Sequence, residues 1–287
     1  QQIYIVKTDL NGKLIWEKNY GGTMWEVGNS IIELKNGDYA IAGFSNSPGI
    51  SSGNTDMVLL RISSNGNQKA LYSFGNQSFP NHEWANDLIE LYDESIIMVG
   101  SRDRYNQGSK NILIIKINKN GKILWEKEIL SEKNTSEVAY SVSLNKTGGI
   151  YVTSGISENE TNKNFHPQIM KIDSFGNIDW VRNFESNSKE YHQFRTSVTK
   201  NGGLVLVGSS ITNSPLGSKS DAFITRLDSN GGIVWTNAYG TDDHDDWGWS
   251  IFERQDESII MIGSTKSYGA SLFDVYLMGV NSNGAGD

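Results

Sequence analysis

The residues best suited to chemistry stand in short, mixed clusters. Each of the four histidines lies near aromatic or acidic neighbours: Asn81-His82-Glu83-Trp84, Phe165-His166, Tyr191-His192, and the run Gly240-Thr241-Asp242-Asp243-His244-Asp245-Asp246-Trp247. Imidazoles and carboxylates carry protons and bind metals, and flat rings beside them offer an apolar platform to a sugar or other small ligand. The candidate ligand-binding residues are Trp25, His82, Trp84, His166, Tyr191, His192, Asp243, His244, Asp245 and Trp247. A metal site, if the chain has one, would be built from Asp242, Asp243, His244, Asp245 and Asp246, with Ca²⁺ as the ion suited to an oxygen-rich set. That run lacks the alternating Asp-x-Asp-x-Asp-Gly order of a calcium loop. No Gly-x-Ser-x-Gly elbow, His-Glu-x-x-His pair or phosphate loop occurs, so no catalytic residue is assigned and no organic cofactor is expected.

The elements that must position these residues repeat. A turn glycine recurs at Gly12, Gly66, Gly121, Gly176, Gly231 and Gly284, with spacings of 54, 55, 55, 55 and 53. Four residues after it stand Trp16, Ala70, Trp125, Trp180 and Trp235. Each repeat reads as four short β-prone runs, here called a to d, bounded by Asn/Gly/Asp turns. In one repeat these are 28–34, 39–45, 56–62 and 68–74. Strand b always carries a glycine: Gly43, Gly100, Gly155, Gly208 and Gly263. No helical period is sustained.

A period of this length, with four antiparallel strands per unit, predicts an all-β fold: a five-bladed β-propeller of four-stranded blades. The whole chain, 1–287, is expected to be one domain. Its blades span about 21–75, 76–130, 131–185 and 186–239, and a last blade, 240–280, is closed by N-terminal strands within 1–20. Strand c is present six times, one too many. Its basic column (Lys7, Arg61, Lys116, Lys171, Arg226) is broken by Gly279 in the sixth copy, which favours residues 2–20 as both c and d of the closing blade. That column is expected to pair with an acidic column ahead of strand a: Glu26, Glu83, Glu137, Gln193 and Asp246. The repeated tryptophans are expected to pack between blades rather than to hold a ligand.

Strand direction sorts the connections. The a–b and c–d hairpins are short and share one face. The b–c loops (46–55, 102–110, 157–167, 210–220, 265–272) and the d–a loops share the other, vary from repeat to repeat, and carry the candidate residues. Variable loops on a rigid scaffold are the usual seat of binding.

Composition narrows the function. The 287 residues are 37% hydrophobic and carry a net charge of −8, which suits a packed core and disfavours nucleic-acid partners. There is no cysteine, and no apolar run approaches the ~18 residues of a membrane helix.

The Asp-x-x-Gly-x-x-x-Trp element, as in Asp9–Trp16 and Asp173–Trp180, resembles the tryptophan-docking repeat of quinoprotein propellers, which implies a docking role for the Trp. The wider pattern covers essentially the whole chain. It runs from Trp16-Glu17-Lys18-Asn19-Tyr20-Gly21-Gly22 through Gly37-Asp38-Tyr39-Ala40-Ile41-Ala42-Gly43 to Lys171-Ile172-Asp173-Ser174-Phe175-Gly176. It is similar to a family of secreted or cell-surface bacterial β-propeller repeat proteins. The resemblance implies an extracellular or surface location. The expected function is non-enzymatic binding or adhesion, with a glycan or protein as partner. The alternatives are a carbohydrate-active enzyme with axial carboxylates, and a structural subunit that self-associates through its terminal strands.

Overall fold

The computed structural model describes residues 1–52, 54–75, 81–103, 109–130, 135–159, 162–184, 191–214, 217–241, 243–269 and 272–286. Among these are 21 strands in six antiparallel sheets, and no helix long and apolar enough to cross a membrane. The chain divides into two compact units, Gln1–Ala139 and Tyr140–Asp287.

The first unit opens with a two-stranded sheet, β1 (Ile3–Thr8) and β2 (Leu14–Tyr20). Two four-stranded sheets follow, each with its strands hydrogen-bonded in chain order: β3 (Glu26–Glu33), β4 (Tyr39–Ser45), β5 (Asp56–Ile62) and β6 (Gln68–Phe74), then β7 (His82–Glu90), β8 (Ile96–Asp103), β9 (Lys110–Ile117) and β10 (Ile123–Ile129). The next sheet starts at the unit boundary with β11 (Ser136–Leu144) and continues in the second unit with β12 (Ile150–Asn159), β13 (Asn162–Ile172) and β14 (Ile178–Asn183). The second unit adds β15 (Tyr191–Val198), β16 (Leu204–Ser214), β17 (Gly217–Leu227) and β18 (Ile233–Tyr239), and a three-stranded sheet of β19 (Asp246–Glu253), β20 (Ile259–Thr265) and β21 (Asp274–Val280).

The two central strands of each complete sheet bury residues on both faces, which is why they read as near-continuous aliphatic runs. Ala40, Ala42, Met57 and Leu59 pack against Ala85, Leu88, Leu113 and Ile115 of the following sheet. The opposite face of the first sheet, with Ile41, Leu60 and Ile62, is covered by Ile3, Ile5, Trp16 and Tyr20 of the N-terminal hairpin. In the second unit Val205, Val207 and Ile224 meet Ile251, Ile259 and Met261. Each fully buried side chain of this size contributes roughly 1.5–3 kcal/mol.

The repeated Trp and Gly are two halves of one contact. Trp16 Nε1 donates to Ser64 O (3.2 Å), and Trp235 Nε1 donates to Ser282 O (3.0 Å), each in the c–d turn of the next repeat. The turn glycines Gly66, Gly231 and Gly284 have φ between 73 and 80° and lie under Trp16, Trp180 and Trp235. They must lack a Cβ both for backbone conformation and for ring clearance. Where Ala70 replaces the Trp, Tyr72 covers Gly121 instead, two residues along on the same face.

Three expectations are corrected. The strand c beside β20 is β21, paired from Ile259↔Val280 to Thr265↔Asp274, and not residues 3–8, which pair with β2. A hairpin partner near in sequence closes a shorter loop than the far chain end. The basic column does not meet the acidic column, because the two stand at opposite ends of a sheet. Arg226 pairs with Glu253 (2.9 Å) and Lys116 with Asp93 (3.1 Å), while Arg61 donates to Lys119 O and Lys7 to Ser64 O, all at the a–b and c–d turn end. Finally, two of the expected b–c loops are largely strand. β12 pairs with β13 as far as Asn159↔Asn162, and β16 with β17 as far as Ser214↔Gly217.

Candidate functional site

In the first unit, Trp25 is exposed, and its backbone N–H donates to Asn46 Oδ1 (2.9 Å). His82 and Trp84 project from the start of β7 and stack with ring centroids 5.7 Å apart. His82 Nδ1 accepts the Thr55 N–H (3.3 Å), and the Lys110 ammonium lies 4.5 Å from the Trp84 ring.

Between them, Glu83 turns inward and is fully buried. Arg102 donates from Nε to Glu83 Oε1 (2.9 Å) and from Nη1 to Glu126 Oε1 (2.7 Å) and Glu128 Oε2 (3.0 Å). One guanidinium thus serves three carboxylates, and Glu83 Oε2 accepts no hydrogen bond. Burial pushes the Glu83 carboxyl up to about 7, against the pull of Arg102. The folded protein therefore holds this proton up to about pH 7, whereas the unfolded chain releases it near its ordinary value of 4.5. The stability from this group is complete below the unfolded value and is lost as pH rises through the folded one, a change on the order of 2–3 kcal/mol. Glu83→Gln should hold its melting temperature between pH 5 and pH 8 better than the parent chain, measured by thermal unfolding at each pH. Parallel pH profiles for the two would refute the assignment.

In the second unit, the sequence-selected residues disperse. His166 does not end a loop; it lies within β13 opposite Ile156, because that hairpin is longer than the turn signals suggested. Tyr191 and His192 lie in β15, but their side chains fall outside the described set, as does Asp242. Asp243 Oδ1 pairs with His244 Nδ1 (2.9 Å) and accepts the Thr241 hydroxyl (2.8 Å). Asp245 pairs with Lys266 (3.1 Å) and accepts the Ser220 N–H (3.2 Å). Asp246 is fully buried and accepts hydrogen bonds from the Thr265 and Ser267 hydroxyls. Asp243, Asp245 and Asp246 thus point to different partners, and among the described residues no three metal-ligating side chains come together. Hydrogen bonds from the Thr241 and His244 side chains hold the Asp243 carboxyl low. Asp245 is also lowered, the Ser220 N–H and Lys266 outweighing its burial. Trp247 packs against Phe273 (4.4 Å) and, edge-on, Trp249 (5.9 Å).

What the second unit does form is a groove of about 700 Å³ between β18 and β21. Its walls include Tyr239, Tyr268 and Tyr276, with Gly240 and Thr265 between them. Tyr268 and Tyr276 lie with ring centroids 5.7 Å apart, and Tyr268 is more than half exposed. Burial, then the neighbouring Tyr268 and the charge of Asp246, pushes the Tyr276 phenol up to about 12, so it stays a hydroxyl. The Tyr239 hydroxyl donates to Gly284 O (2.7 Å), fixing its ring. Thr241 follows Gly240 and Ser267 precedes Tyr268; their hydroxyl oxygens are 2.7 Å apart, and Ser267 donates to Asp246. Sequence reasoning missed these walls. Tyr239 stood in a repeated structural column, while Tyr268 and Tyr276 belong to separate segments that only the β20–β21 pairing brings together.

No protein-family model and no curated protein matches the chain. Solved structures do. A polysaccharide lyase, an ulvan lyase, aligns with a TM-score of 0.64 at 11% identity over 97% of this chain and 70% of its own. An α-L-arabinofuranosidase from Fusarium graminearum, solved with arabinobiose, aligns at 0.60 and 9% identity over 89% of each chain. A protein of unknown function from Bacteroides caccae aligns at 0.56 and 12% identity over 96% of this chain and 84% of its own. The shared fold is the β-propeller. At these identities the likeness speaks for the fold alone, and it agrees with the repeat architecture expected from the 55-residue period.

Proposed function

We propose that this protein is an extracellular glycan-binding module and that the tyrosine-walled groove beside β21 is its binding site. The observation that carries the reading is the groove itself: about 700 Å³ lined by three tyrosine rings, with the Thr241 and Ser267 hydroxyls on the residues adjoining Gly240 and Tyr268. That combination of flat apolar surface and few fixed polar groups suits a short stretch of sugar rings. The carbohydrate-acting proteins among its structural neighbours are consistent with it. Glycoside hydrolysis would need a carboxylic acid kept protonated beside the bond. In the acidic loop, Asp243 and Asp245 are held low and Asp246 is buried under two hydroxyls. Glu83, whose carboxyl is raised to about 7, is buried in the first unit.

A glycan array followed by titration calorimetry tests this reading. Tyr268→Ala should weaken the best glycan at least about tenfold, since loss of one aromatic stack plus its buried area exceeds the ~1.4 kcal/mol of a decade in affinity. Unchanged affinity would remove the groove from the account. Release of new sugar ends from that glycan on long incubation would replace binding by catalysis.

A further inference from the structure

The basic column makes two different contacts, and the difference goes with a cavity. In the second unit, Arg226 donates from Nη2 to Glu253 Oε1 (2.9 Å), and the Lys200 N–H donates to Glu253 Oε2 (2.7 Å). The equivalent residues of the first unit are Arg61, Glu90 and Lys35, each at the same step from its turn. Lys35 keeps its part. Its N–H donates to Glu90 Oε2 (2.8 Å), and its ammonium donates to Leu91 O (3.0 Å) and Tyr92 O (3.1 Å). Arg61 departs from the pattern: its Nη1 donates to Lys119 O, and among the described residues it makes no ion pair.

The departure traces to Ala70. At the corresponding carbonyls, Ser64 O and Ser282 O, the indoles of Trp16 and Trp235 are donors. The Ala70 side chain has no N–H to offer Lys119 O, and the Arg61 guanidinium supplies one instead. Asp38, whose charge Arg61 also feels, is held by Lys69 (2.7 Å). Among the described residues, Glu90 Oε1 thus lacks the guanidinium that Glu253 has. Arg61 and Glu90 both line a cavity of about 190 Å³, whose walls include the buried Leu34 and Ile96. The exposed pair Lys119–Glu94 (3.5 Å) lines it too. Two half-buried charges of opposite sign that do not meet across a polar cavity are an incomplete ion pair.

We propose that this cavity binds a small zwitterion, an α-amino acid with a short aliphatic side chain. Its carboxylate accepts from Arg61, its ammonium donates to Glu90 Oε1, and its side chain lies against Leu34 and Ile96. A lone anion would face Glu90 and Glu94, and a lone cation would face Arg61 and Lys119. A ligand carrying both charges completes both partners, as Arg226 and Glu253 complete each other. The site lies within the first unit and is independent of the groove and of the carbohydrate reading.

An NMR titration of isotope-labelled protein at pH 7 tests this with three probes: L-alanine, propionate and ethylamine. L-alanine should shift signals saturably and bind at least about tenfold more tightly than either of the others. Glu90→Gln keeps an oxygen for the Lys35 N–H. It should weaken L-alanine at least about tenfold, the effect of one charge-assisted hydrogen bond, with little change in melting temperature. Ala70→Trp/Tyr72→Lys restores the two side chains that Trp16 and Lys18 place over Gly66. It should free Arg61 to pair with Glu90 and abolish binding. No saturable response to L-alanine, which means a cavity holding water only, overturns the proposal. So does equal binding of propionate, or unchanged affinity in Glu90→Gln.

Discussion

Gly100→Ala is expected to destabilise the first unit by more than about 4 kcal/mol, enough to prevent folding of a domain of ordinary stability. A Cβ at Gly100 would lie 1.8 Å from the Trp84 carbonyl oxygen, and that oxygen belongs to backbone that cannot swing aside. The close approach arises from a bulge in the neighbouring strand, where the register shifts between Ala85 and Asp87. The same geometry recurs at Gly43 against Val27 O and at Gly263 against Trp247 O, each opposite a bulge. Gly148→Ala supplies the control. Its φ is 89°, but nothing lies within 4 Å of the added Cβ. It should cost only the left-handed penalty of about 1–2 kcal/mol. Urea unfolding of the two variants measures the contrast directly, and similar losses in both would contradict the close-approach argument.

Arg102→Met should cost about 3–5 kcal/mol, the loss typical of removing one partner from a buried ionic cluster. Without the guanidinium, Glu83, Glu126 and Glu128 face one another with no cation between them, and two of the three are almost fully buried. The loss should deepen as pH rises, because more of the cluster is then ionised. A second substitution, Glu83→Gln, should recover part of it, since the two side chains act as a pair. A strictly additive double variant would mean that Arg102 stabilises by packing its stem rather than by charge.

Much of the architecture was legible in the sequence because repetition multiplies weak signals. A single Gly or Trp says little, but Gly66, Gly231 and Gly284 in phase with Trp16, Trp180 and Trp235 define a contact that the structure contains. The strand b glycines were equally visible, yet one column serves two ends. Gly43, Gly100 and Gly263 clear a carbonyl, while Gly155 and Gly208 clear the rings of Tyr140, Phe194 and Phe223. Spacing cannot distinguish a backbone from a ring.

Charge pairing was the least legible feature. The basic and acidic columns have the same period, and period alone does not say at which end of a strand a residue stands. The terminal strands misled for a related reason. Arg226 and Arg61 of the basic column reach into the sheet that follows theirs, so the column does not report which strand completes a sheet. The groove was hidden because its walls come from β18, β21 and the segment between β20 and β21, and no spacing unites Tyr239, Tyr268 and Tyr276.

The most direct test of the account is a titration of protein carrying isotope-labelled tyrosine with the oligosaccharide that scores highest on the array, followed by NMR. The twelve tyrosines give a countable set of ring signals. The account predicts that the resonances of Tyr239, Tyr268 and Tyr276 shift together and saturably, and that Tyr4, Tyr92 and Tyr151 stay in place. Binding that leaves Tyr239, Tyr268 and Tyr276 unmoved would contradict it.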